Sequence, residues 1–293
     1  MRPLRVALLC AGLFACRPKP VPSSEPNEKT APERTVTIDR MPSMEDRAVL
    51  YRPGTVLLVG EIHGTEEMPD FVAALLGDAV AMGAPVIIGV EMKTFEQAHL
   101  DEFMHDRSPS SVPAGELWRD PFPDGRSSTA MLRLLRSARD LARTTGHVRV
   151  VAIDALPGTK RDLGMAGTVT REAKAHPDSV VLVLAGNLHT HLTRGVDVDD
   201  FKDPDYEPMG YLLTTRGLNV MGIRIGYEKG TFWGCTDEGA TCGPTPTDDG
   251  SPLPHGEAAR LHPLRENDED GYTYGALLGL IHASPPAIKL GAR

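Results

Sequence analysis

The sequence predicts an α/β protein of three layers, with a central, mainly parallel β-sheet and a C-terminal antiparallel extension. Three observations predict it. Short, continuously apolar runs rich in β-branched residues recur at Thr55–Gly60 (TVLLVG), Pro85–Val90 (PVIIGV), Val148–Ile153 (VRVVAI) and Val180–Ala185 (VVLVLA). Helical patterns separate them, over residues 66–82, 95–105, 128–144 and 161–175. Strands that are apolar at every position are buried on both faces, and alternation with helices supplies the crossovers that cover them. After Gly210 the pattern changes to YLLTTRGLNVMGIRIGY, which reads as two strands split by a Gly-Leu-Asn turn, and YTYGALLGLIHA follows near the end.

In chain order, residues 1–16 (MRPLRVALLCAGLFAC) join a basic start, Arg2 and Arg5, to an apolar run and a cysteine after a small residue. That is a secretory signal. Leu13-Phe14-Ala15-Cys16 resembles the lipobox of bacterial lipoproteins, which makes Cys16 the lipidated first residue of the mature chain. Arg17 in place of an aspartate implies sorting to the outer membrane, so the expected location is the cell envelope, facing the periplasm. Residues 17–45, with Pro18, Pro20, Pro22, Pro26 and Pro32, read as an extended disordered linker, and residues 46–293 as a single α/β domain.

The 293 residues carry 31 Lys+Arg against 40 Asp+Glu, a net charge of −9. This balance argues against a nucleic-acid partner, whose phosphates call for a cationic surface. No stretch reaches the roughly twenty apolar residues of a spanning helix, so the lipid anchor is the only expected membrane contact. Cys235 and Cys242, within GCTDEGATCG, are expected to form a disulfide in an oxidising compartment, since a metal would want more thiolates nearby.

The residues at the strand ends carry the chemistry. The first apolar run leads into Glu61-Ile62-His63-Gly64, the second into Glu91, the third into Asp154 and the fourth into Gly186-Asn187-Leu188-His189. In open parallel sheets the ligand crevice lies beyond the carboxyl ends of the strands. A single strand-end acid ordinarily caps the next helix. Acids, an amide and imidazoles at four consecutive strand ends predict one shared site containing Glu61, His63, Glu91, Asp154, Asn187 and His189.

Strand-Gly-Glu-x-His-Gly, a strand ending on Glu some thirty residues later, Arg161-Asp162-x-x-Met165-Ala166 and strand-Ala-Gly-Asn-x-His resemble the superfamily that joins erythromycin esterase-like proteins, ChaN haem-binding lipoproteins and the Tiki/TraB group. The likeness runs over residues 50–285 and includes Asp124-Gly125-Arg126-Ser127-Ser128 and the closing Ser284-Pro285-Pro286. From the Tiki group it implies a metal-dependent hydrolase with His63, His189 and Glu91 as ligands. From the esterases it implies Glu61 and His63, although Gly-Glu-Ile-His-Gly has one residue fewer between them than the esterase pattern. From ChaN it implies haem or iron binding without catalysis; the match carries no axial ligand over, and Tyr206, His99 and His105 are candidates by residue type alone.

Two imidazoles with carboxylates suit Zn, Mn or Co. In that scheme His63, Glu91 and His189 hold the ion and Glu61 accepts a proton from its water. In a metal-free scheme His63 activates the water, oriented by Glu61 or Glu91, and Asn187 donates to the oxyanion in either case. Arg126, Asp154 and Arg161 are the candidates for contacting a small-molecule or peptide substrate; the plain reading of Arg161 is an ion pair at a helix start. The irregular stretch 108–123, with Trp118 and Phe122, reads as a cover over the site, and Glu266–Asp270 as a solvated acidic loop.

Overall fold

The structure, a computed structural model, describes residues 42–108, 110–120, 123–154, 161–198, 201–235, 241–247, 261–264 and 268–288. The signal, Cys16, the linker as far as residue 41, and Phe122 lie outside the described residues. Helix α1 (Met44–Leu50) starts just inside the stretch read as linker, capped by Ser43, whose side chain accepts from the Asp46 N–H.

Four apolar runs become the predicted strands β1 (Thr55–Glu61), β2 (Val86–Lys93), β3 (Val148–Asp154) and β4 (Val180–Gly186). The helices between them are α2 (Glu67–Ala81), α3 (Gln97–His105), α4 (Thr129–Thr145) and α5 (Arg161–Ala175). After β4 come the single turn α6 (Asn187–Thr190), a small ribbon of β5 (Val196–Val198) and β6 (Phe201–Asp203), α7 (Met209–Thr215) and β7 (Asn219–Gly226). The chain closes with β8 (Lys229–Cys235), β9 (Cys242–Pro246), β10 (His262–Pro263), β11 (Tyr274–Leu277) and β12 (Leu280–Ile281).

The central sheet runs β10-β11-β7-β1-β4-β2-β3, parallel throughout except for β10 against β11. Both faces are buried by alternate residues. Leu57, Val59, Ile88 and Val90 pack beneath α2 and α4, through Phe71, Leu75, Leu134 and Leu135. Val56, Leu58, Ile87 and Val183 meet Met165 and Val169 of α5 and Met209 and Leu213 of α7. This is why β1 is buried at every position.

The reading of YLLTTRG as a strand is corrected by α7. Tyr, Thr and Leu favour strands, but Met209 and Leu213, four apart, face α5 together, and helix packing outweighs intrinsic preference. Gly217, at φ 73°, then turns the chain into β7, which extends the sheet in the parallel sense beside β1. The antiparallel extension lies further on, in β10 at the sheet edge and in the β8–β9 pair of a separate three-stranded sheet.

α4 starts at Ser128, whose side chain accepts from the Met131 N–H at 3.3 Å, and ends at left-handed Gly146. Ser128→Ala removes that cap and is expected to cost about 1 kcal/mol, read as a lower urea midpoint with an unchanged slope.

Candidate active site

The sheet order sets β1, β4, β2 and β3 side by side, so their carboxyl ends form one rim. Glu61 is the last residue of β1, and His63 stands in the turn after it. Glu91 lies where β2 slips register against β3, between Val90 and Lys93, an irregularity of the kind that re-aims a side chain. Asp154 ends β3, and His189 stands on α6, directly after β4.

Glu91 is the hub. It is 3% exposed. Its Oε2 accepts from the Gly186 N–H at 2.7 Å and lies 3.4 Å from His63 Nε2. Its Oε1 accepts from Arg161 Nη2 at 2.5 Å and Arg126 Nη1 at 3.2 Å, with His189 Nε2 at 4.0 Å. Each histidine has a carboxylate at the far side of its ring. His63 Nδ1 meets Glu61 Oε1 at 2.9 Å, and His189 Nδ1 meets Asp162 Oδ1 at 2.8 Å. Asp162 also accepts from the Tyr206 hydroxyl and the Met209 N–H, both at 2.8 Å. The Asp162 carboxylate thus orients the His189 ring from its Nδ1 side, with Nε2 turned towards Glu91. Arg161 and Lys93 both donate to the fully buried Asp154, and Arg126 pairs with Asp124 as well as Glu91.

The electrostatics separate the two imidazoles. Burial alone would lower the His63 pKa, but hydrogen bonds to Glu61 and Glu91 outweigh it and hold the ring at about 10, so it is a cation at neutral pH. Burial likewise works against ionised Glu91, and the hydrogen bond and charge of His63, with the Gly186 N–H, hold its carboxyl well below the usual range. Asp154 is held down against burial by Arg161 and Lys93. Among the described residues, His189 has Asp162 and Tyr206 within hydrogen-bonding distance, both at Nδ1.

Stability should follow. His63 titrates at 6.5 when unfolded and about 10 when folded, so its contribution is complete below pH 6.5 and drains away as pH rises towards 10. Glu91, depressed from 4.5, contributes above that value and fails as pH falls below it. Calorimetric Tm is expected to plateau between pH 4.5 and 6.5 and to decline on both sides, and His63→Gln should flatten the alkaline limb.

The crevice thus gathers Glu61, His63, Glu91, Asp154, His189, Arg126 and Arg161. Asn187 stands apart. Its Oδ1 presses on Gly60, where a Cβ would come within 2.5 Å, and the residue lines a neighbouring cavity of about 740 Å³ with His191, Arg224, Asp270 and Tyr272. Arg161 makes the ion pair of its plain reading. Tyr206 serves Asp162, whereas His99 and His105 lie on α3, the first near Glu102 and the second bonded to the Asp101 carbonyl. Trp118 is buried in the core, so it anchors the 108–123 stretch.

Sequence reasoning missed Asp162 and Lys93 as members. Asp162 follows Arg161 at the start of α5, so its place beside an arginine was visible, but its contact with His189 depends on α5 docking beside α6. Nothing local marks Lys93.

The expected metal set does not fit. Among the described residues no group of three or more His, Cys, Asp or Glu side chains is arranged to hold an ion. The shared ligand, Glu91, already receives two guanidinium groups at Oε1, which compete with a cation for that oxygen.

No family profile and no curated protein matches the sequence. Solved structures do match. A Bacillus cereus protein aligns with a TM-score of 0.58 at 11% identity, over 81% of this chain and 91% of its own. A succinoglycan biosynthesis protein gives 0.54 at 9% identity, over 82% and 91%. An erythromycin esterase variant in its open conformation gives 0.53 at 15% identity, over 69% and 78%. The chain shares their fold.

Proposed function

We propose that the chain is a metal-independent hydrolase of carboxylic esters, working at the cell envelope from a lipid anchor on Cys16. The observation that carries this reading is the pair of imidazoles facing one buried carboxylate, each with a second carboxylate behind its ring. Two imidazoles, each oriented by a carboxylate and turned towards one point, can supply the acid and the base of a hydrolysis. The fold shared with an erythromycin esterase supports ester chemistry.

In the proposed reaction His189 Nε2 takes a proton from water as its oxygen attacks the ester carbonyl carbon. Asp162 stabilises the imidazolium that forms. The carbonyl oxygen gains negative charge, which the His63 imidazolium and Arg126 are positioned to offset. As the carbon–oxygen ester bond breaks, His63 gives its Nε2 proton to the leaving oxygen. The proton on His189 then returns through solvent to His63. This reassigns the expected roles: His63 is the acid rather than the base, Glu61 orients it, and Glu91 holds the cations apart. Asn187 takes no part.

The test is turnover of a panel of nitrophenyl esters, from acetate to octanoate, by the purified chain lacking residues 1–16. Saturable release of nitrophenol is expected, and no release across the panel would reject the reading.

A further inference from the structure

We propose that the disulfide-closed β8–β9 hairpin is a positioning element for this site, bracing the His63–Gly64 turn and the 123–126 loop against each other. The inference rests on the placement of His63 and Arg126 in the proposed machinery. Cys235 and Cys242 are cross-strand partners joined by a disulfide. The Cys235 sulfur lies 3.6 Å from the carbonyl oxygen of Pro123, close in sequence to Arg126. Two residues before Cys235, the Trp233 N–H donates to the Gly64 carbonyl at 2.8 Å, directly after His63.

The two loops also touch each other. Gly64 has φ 78°, and a Cβ there would come within 2.5 Å of the Trp233 carbonyl oxygen. Gly125 has φ 94°, and a Cβ there would lie 2.1 Å from the Gly64 nitrogen and 2.7 Å from the His63 carbonyl carbon. Glycine is required at both because three backbones meet with no room for side chains. The stack therefore runs from disulfide to Pro123, and from Trp233 through Gly64 to Gly125, with a catalytic side chain next to each loop glycine.

The brace depends on the covalent link. β8 and β9 belong to a sheet separate from the central one, none of their residues is fully buried, and their third strand β12 pairs through two residues. A small ribbon of this kind is marginal on its own, and cross-linking it at the end that meets Pro123 holds it shut. The disulfide thus acts on catalysis through His63 and Arg126 without meeting substrate.

Hydrogen exchange read by mass spectrometry tests this without requiring turnover. The oxidised chain is compared with Cys235→Ser/Cys242→Ser and with the native chain reduced by a phosphine and then reoxidised. Exchange over residues 62–65 and 124–128 is expected to quicken on the order of tenfold in both opened forms and to recover on reoxidation, with β2 and β4 unchanged. With nitrophenyl acetate, kcat should fall by about tenfold with KM held within about twofold, the signature of misplaced catalytic groups. Faster exchange confined to residues 229–246, or spread through β2 and β4, would overturn the proposal, as would an unchanged kcat. Absence of any ester turnover would reject the hydrolase and leave the exchange result to decide the brace.

Discussion

His189→Ala is expected to lower kcat for nitrophenyl esters about a thousandfold, with circular dichroism and Tm close to those of the parent. The size follows from its role as the acceptor of the water proton, and the preserved fold from its position on α6 at the rim of the sheet, outside both apolar clusters. Asp162→Asn is the companion variant. The amide oxygen can still accept from the Met209 N–H and meet His189 Nδ1, but the negative charge that stabilises the imidazolium formed on His189 is lost although every heavy atom stays in place. A large loss in kcat with little change in KM is expected from both. If either variant retains half of the parent rate, His189 is not the base.

Glu91→Gln should have the largest effect on stability. The carboxylate is 3% exposed and shared by Arg161, Arg126 and His63, all charged at neutral pH. Neutralising the shared partner leaves positive charges crowded at a buried point, which costs about 3–5 kcal/mol when a buried pair is broken from one side. The alternative partners divide the cations unequally. Arg161 keeps Asp154 and Arg126 keeps Asp124, whereas His63 keeps only Glu61. The variant's alkaline limb of Tm should therefore move to lower pH as well, and Arg126→Gln added to Glu91→Gln should recover part of the loss, because one of the crowded charges leaves and its other partner, Asp124, is exposed to solvent. Additive losses in the double variant would contradict the coupling.

Much of this architecture is legible before any coordinates. β1 to β4 announce themselves because burial on both faces makes nearly every position apolar, exposed Arg149 of β3 excepted, a signal that does not depend on neighbours in space. The strand-end residues follow from the same rule, since the carboxyl end of a parallel strand is where polar chemistry must begin. Three things are not local. The helix α7 competes with a plausible strand, and the outcome turns on Met209 and Leu213 meeting α5. The partnership of His189 with Asp162 joins residues 27 apart through helix docking. The protonation of His63 depends on Glu91 arriving from another strand, so a histidine that reads as a base by composition is a cation in place. The same arrival explains why a ligand set that looks apt for zinc does not fit: the arginines that claim Glu91 come from the loop before α4 and from the start of α5, and only the fold shows that they converge.

The Ser284-Pro285-Pro286 ending has a similar history. Its serine is fully buried and its Oγ accepts from the Ala130 N–H in the first turn of α4, while its N–H donates to Gly64. A motif that enters only as part of a family likeness is a tie between the loop of His63 and the helix behind Arg126.

The central claim is that hydrolysis runs on side chains alone, with His189 as base and His63 as acid. The most direct test is the rate of nitrophenyl ester hydrolysis by protein dialysed exhaustively against chelator, with metal content measured on the same sample. The account predicts an unchanged kcat/KM at far less than one ion per chain. A rate that disappears on chelation and returns with stoichiometric Zn, Mn or Co would contradict it.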